Sequence, residues 1–119
     1  MSPVTIYHNN RCSKSRATLT LVEEAISDAS DLTVIAYLET PPSVAELTSI
    51  SVKLGFDSIR QLMRTNEAVY KELNLKDEKD EQKLVEAMVA NPKLIERPIV
   101  LANDQAKIGR PPESVLAIL

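Results

Sequence analysis

Between Val4 and Leu38 the chain passes from a strand pattern to a helix pattern and back to a strand, and this order constrains the fold more than any other feature. Val4-Thr5-Ile6-Tyr7 alternates β-branched and aromatic residues, as a short strand does. From Ser13 to about Ala29 the apolar residues recur at helical spacing. Leu32 to Leu38 then reads as a second, more buried strand. A helix of that length is a crossover connection, so the two strands are predicted to run parallel.

The rest of the chain fits the same frame. Glu39-Thr40-Pro41-Pro42 ends the second strand, and Ser43 with Glu46 forms a capping-box signal. Val44, Leu47, Ile50 and Leu54 mark the buried stripe of a helix that stops at Gly55. Ile59, Leu62 and Met63 predict a short helix, and Ala68 to Leu73 another turn or two. The charged run Lys76-Asp77-Glu78-Lys79-Asp80-Glu81 reads as a solvated connection. It leads into a helix with Leu84, Val85, Met88 and Val89 inward, closed by Asn91-Pro92. Pro98 to Ala102 and Ala106 to Ile108 flank Asn103-Asp104-Gln105, a hairpin signal. A terminal helix from Pro112 or Glu113 to Leu119 is expected to bury Val115, Leu116 and Leu119. The predicted fold is α/β: a mixed four-stranded sheet with a helical insertion, at about 43–91, between strands two and three.

Cys12, the one cysteine of the sequence, falls where the first strand hands over to the helix. A thiol at a helix N-terminus meets unpaired N–H groups and the positive end of the helix dipole, which favour thiolate. Arg11, Lys14 and Arg16 add positive charge nearby. Such surroundings lower a cysteine pKa from ~8.5 to between about 3.5 and 7.5. A lone cysteine is more often a small buried hydrophobe, but the polar and basic neighbours of Cys12 argue against burial. His8 is either a cationic partner of the thiol or a neutral hydrogen-bonding group at the strand end. Ser15 either supports the thiolate or serves as an ordinary cap.

At 119 residues the chain is expected to be one domain, 1–119. A net charge of −3 argues against a general nucleic-acid binder. Gly55 and Gly109 are the only glycines, which excludes a glycine-rich nucleotide loop. One histidine and one cysteine make a metal site implausible. No apolar stretch approaches the ~18 residues of a membrane span, and Met1-Ser2-Pro3 is unlike a signal peptide. With a single thiol and no internal disulfide, a cytoplasmic location is expected.

Five segments in register carry a family resemblance: Thr5-Ile6-Tyr7-His8-Asn9; Cys12 with Ser15-Arg16; Tyr37-Leu38-Glu39-Thr40-Pro41-Pro42; Arg97-Pro98-Ile99-Val100; and Arg110-Pro111. From about Thr5 to Leu119 the chain resembles the glutaredoxin-linked, ArsC-like arsenate reductases, above all a short bacterial branch with Cys-Ser-Lys-Ser-Arg. The resemblance implies a thioredoxin-like fold with Cys12 as nucleophile and His8 and Ser15 in support. It implies that Arg64, Arg97 and Arg110 hold the arsenic oxyanion, and that Pro98 is the cis-proline opposite the cysteine. No bound cofactor is implied; glutathione is the co-substrate and glutaredoxin the protein partner. Asn10, where many members have proline, and Ser13-Lys14, where the best-known reductases have a Gly-Thr-like pair, depart from the pattern.

The residues give that chemistry a physical shape. A tetrahedral oxyanion needs several fixed donors, and arginine supplies planar forks. Positive groups offset the repulsion between thiolate and oxyanion and stabilise charge on a departing oxygen. Arg97 and Arg110, each followed by proline, bracket the predicted hairpin; Arg60, one helical turn from Arg64, competes with it for the third place. With no second cysteine, a Cys12 adduct needs an outside thiol. Two other readings share the fold: an Spx-like regulator that binds RNA polymerase, and a thiol oxidoreductase with another substrate. Ser15 removes the Cys-x-x-Cys switch such regulators carry, and the arginines favour the oxyanion enzyme.

Overall fold

The computed structural model describes residues 3–119, so Met1 and Ser2, read above as unlike a signal peptide, lie outside the described residues. The chain forms two compact units, one from the stretch through Thr40 together with Arg97–Leu119, the other from Pro41–Glu96.

The first unit is built on β1 (Val4–His8), α1 (Ser13–Ala25), β2 (Leu32–Ala36), β3 (Ile99–Ala102) and β4 (Gln105–Ile108). The sheet order is β2-β1-β3-β4. β1 runs parallel to β2, with Val4 opposite Leu32, and antiparallel to β3, with Val4 opposite Ala102. This is the expected mixed sheet, with a thioredoxin-like order of elements. α1 and a terminal 3₁₀ helix, Pro112–Ile118, pack against the sheet. Their shared core is Val4, Ile6, Val22, Val100, Ala102, Val115 and Ile118. Burying each of the larger side chains contributes roughly 1.5–3 kcal/mol.

Four expectations need correction. β2 is an edge strand and not the more buried one: Thr33, Val34 and Ala36 are exposed, because only β1 pairs with it in the sheet. α1 stops at Ala25 instead of near Ala29, which begins a separate 3₁₀ turn capped by the Asp28 carboxylate. The hairpin turn is two residues, Asn103-Asp104, both at positive φ, with Gln105 already paired to Ala102. Such a turn matches the twist of the flanking strands. The terminal helix is 3₁₀ and repeats every three residues, so Val115 and Ile118 face the core while Leu116 is exposed and Leu119 is partly covered.

The second unit is helical: α2 (Val44–Lys53), a 3₁₀ turn Ile59–Leu62, α3 (Ala68–Glu72) and α4 (Glu81–Ala90). The Ser43–Glu46 capping box forms as expected, with reciprocal hydrogen bonds of 3.1 Å. α2 gives way to Gly55, whose φ of +77° suits glycine. Leu84, Val85 and Met88 of α4 are buried, and Met63 bridges to Ile95. Glu81, at the end of the charged run, is more than solvated, for it accepts from Ser58 Oγ and Ile59 N.

Candidate active site

Asn9 to Cys12 join β1 to α1 in a loop tied from both sides. Cys12 N donates to Asn9 O at 3.0 Å, and Arg11 N donates to Asn9 Oδ1 at 3.0 Å. Arg16, one turn into α1, donates from Nη1 to Asn10 O at 2.7 Å. A guanidinium therefore fixes the carbonyl of Asn10. These ties leave Cys12 at the N-cap of α1.

Cys12 is half-buried. Burial pushes its thiol up, but the Ser15 N–H, the Arg97 guanidinium, the Lys14 N–H and the Arg110 guanidinium together outweigh that penalty and hold it below the ordinary thiol range. The sulfur closes no strict cap hydrogen bond, yet the first-turn N–H groups lie close enough to act on it.

Ser15 is buried beneath this turn. Its Oγ lies 2.7 Å from His8 Nδ1 and accepts the Asn9 N–H at 3.0 Å. Burial, then the charge of Arg16, push the His8 imidazole below its usual pKa, against a smaller opposing pull from Glu23. The His8 ring and the Ser15 hydroxyl share this one hydrogen bond, its donor set by the imidazole tautomer. The Ser15 hydroxyl is thereby committed to His8 and Asn9, and it is the Ser15 backbone N–H that acts on the sulfur. His8 reaches the thiol through Ser15 and the loop, not as a neighbouring cation.

Arg97 and Arg110 reach the cysteine from the two loops flanking the hairpin. Both precede cis-prolines, Pro98 as the resemblance implies and Pro111 in addition. Arg110 Nε donates to the Arg97 carbonyl at 2.8 Å, and its Nη2 stands 4.0 Å from Cys12 Sγ, the outer limit of a hydrogen bond to sulfur. Gly109 N donates to Pro98 O at 2.9 Å, which joins the two loops again. A Cβ at Gly109 would lie 2.3 Å from Thr18 Oγ1 and 2.8 Å from Pro98 Cγ. Glycine there lets the Arg110 loop close onto α1, a close approach that no local sequence signal announces.

Arg64 belongs to the second unit, where it pairs with Glu67 at 3.1 Å and with Glu96 at 4.0 Å. Arg60 spends its donors on Tyr70 Oη, Leu75 O and Glu78 O, all in the same unit. That makes Arg60 a structural residue. Among the described residues no His, Cys, Asp and Glu cluster could hold a metal ion. Nor, among the described residues, is any helix long and apolar enough to cross a membrane.

A half-buried thiol of lowered pKa, set at a helix start and facing two linked arginines, suits nucleophilic attack on an oxyanion. The ArsC family model matches residues 7–118, which include all of these groups. The chain belongs to the ArsC family. Among relatives, an arsenate reductase of Haemophilus influenzae is 51% identical over 118 residues, 98% of either chain. The uncharacterized protein YfgD of Escherichia coli is 55% identical over 117 residues, 98% of this chain and 96% of its own. Among solved structures, the arsenate reductase from Vibrio cholerae superposes with a TM-score of 0.91 at 53% identity over 98% of either chain. ArsC-family membership and the mixed sheet are both as the sequence implied.

Proposed function

We propose that this ArsC-family chain reduces arsenate to arsenite through a Cys12 thiolate, with glutathione and glutaredoxin supplying the electrons. The observation that carries the reading is the linkage of Arg97, Arg110 and Cys12: one guanidinium bonds the carbonyl of the other arginine and reaches the sulfur. The thiolate attacks arsenic, an As–S bond forms, and an arsenate oxygen leaves as water or hydroxide. Arg97 and Arg110 offset the repulsion between the two anions and stabilise that departing oxygen. Glutathione displaces a second oxygen. A glutaredoxin thiol then attacks the glutathione sulfur; the As–S electron pair passes to arsenic, reducing it from As(V) to As(III), and the mixed disulfide leaves. Hydrolysis of the remaining As–S bond releases arsenite and restores the Cys12 thiolate. Ser15 and His8 hold the loop through which the thiol is presented. For Arg64 the oxyanion role rests on the resemblance alone.

The test is a coupled assay with arsenate, glutathione and glutaredoxin. Turnover is expected to require both thiol components and to vanish in Cys12→Ser. Full turnover in Cys12→Ser overturns the reading. So does an inactive wild type that instead captures RNA polymerase.

A further inference from the structure

A cavity of about 410 Å³ lies between Asn9-Asn10-Arg11 and the end of β2 with Leu38 and Glu39. Its wall and the nucleophile are one turn of chain, since Cys12 follows Arg11 and bonds back to Asn9. Arg11 and Glu39 contribute opposite charges to its lining. Neither side chain forms a hydrogen bond or ion pair among the described residues. Leu38 contributes apolar surface and is 40% exposed, while Asn9 and Asn10 contribute amide and backbone groups. The volume falls in the range of sites for small organic ligands, about 300–1,000 Å³.

Two unspent, opposite charges lining one cavity are complementary to a zwitterion. A peptide thiol with an α-ammonium group and carboxylates meets that requirement, and three extended residues span about 10 Å, while Cys12 directly follows the lining residue Arg11. We propose that this cavity is the subsite for the glutathionyl moiety, with Arg11 taking a carboxylate and Glu39 the ammonium group, so that the incoming sulfur is delivered to Cys12. This deepens the reductase reading and rests on it for the identity of the thiol, but its test does not need arsenate. Arg11 and Glu39 act here as specificity residues for the thiol.

The experiment measures the rate at which Cys12 of the intact chain attacks two disulfides, glutathione disulfide and uncharged 2-hydroxyethyl disulfide. In both, the thiolate bonds one sulfur and the other leaves as a thiolate. Each rate is referred to a free model thiol. Wild type is expected to favour glutathione disulfide. Arg11→Gln and Glu39→Gln should each lower that rate roughly three- to tenfold, as for partly solvated charge-assisted contacts, and change the uncharged rate less than twofold. The uncharged disulfide also reports whether each variant keeps its folded, activated thiol. An absent preference in wild type overturns the proposal, as does equal slowing with both disulfides or no slowing with either. A retained preference beside a silent arsenate assay overturns the reductase reading and leaves the subsite standing.

Discussion

Arg110 holds Arg97 by the backbone and Cys12 by the side chain, donating from Nε to the Arg97 carbonyl at 2.8 Å while Nη2 stands 4.0 Å from the Cys12 sulfur. Two forks of one guanidinium therefore set the position of the second arginine relative to the thiol. Lysine keeps the charge but cannot make both contacts.

Arg110→Lys is accordingly expected to leave the fold intact and to lower arsenate turnover about 10- to 1,000-fold, the scale of a lost oxyanion donor. Arg97→Lys should fall in the same range. Steady-state rates beside far-UV circular dichroism check this; near-wild-type turnover in both variants removes the arginines from the chemistry.

The Cys12 thiol should titrate below ~8.5, the value of a free cysteine. Alkylation by iodoacetamide against pH reads this directly, and Arg110→Gln should move the midpoint upward because it removes one of the groups favouring thiolate. The depressed folded pKa also fixes the sign of the linkage. The thiolate's contribution to stability is fully present above the unfolded pKa and is lost as pH falls through the lower folded value. A wild-type midpoint at or above ~8.5 contradicts the proposed activation.

His8 gives a second pH effect. Its pKa is lowered by burial and by Arg16, so below about 6.5 the unfolded chain gains a proton before the folded chain does. Stability should therefore fall as pH drops from about 6.5 toward the lower folded pKa, and His8→Asn should flatten that slope in denaturant titrations.

Gly109→Ala places a methyl group against Thr18 and Pro98. Overpacking of this kind costs about 1–3 kcal/mol. Thr18→Ala removes two of the three crowding atoms and should recover part of the loss when combined with it. Chemical denaturation of the single and double variants measures the coupling; strict additivity would show that the two residues do not crowd each other.

Local signals made much of this architecture legible. Alternation at Val4–Tyr7, the helical spacing after Cys12, the Ser43–Glu46 box and the presence of a hairpin near Asn103, though not its two-residue turn, each follow from nearby residues. What was hidden depends on contacts far apart in sequence. The run Leu32-Thr-Val-Ile-Ala looks like a buried strand, but its place at the sheet edge leaves Val34 47% exposed. Nothing local marks Pro112–Ile118 as 3₁₀, and that choice decides whether Leu116 or Ile118 turns inward. In the site, the cysteine and the two arginines were legible as chemistry and by resemblance. The bond from Arg110 to the Arg97 carbonyl, the commitment of the Ser15 hydroxyl to His8, and the close approach at Gly109 were not, because each joins segments that only the fold brings together.

The most direct measurement is protection of Cys12 from iodoacetamide by arsenate, at a pH where the thiolate predominates. An oxyanion held by Arg97 and Arg110 beside the sulfur should slow alkylation saturably, and Arg110→Gln should raise the arsenate concentration needed by about tenfold or more, as for a lost charged hydrogen bond. Alkylation that stays unaffected as arsenate rises to saturating concentrations, in a wild type whose thiol is reactive, would contradict the account.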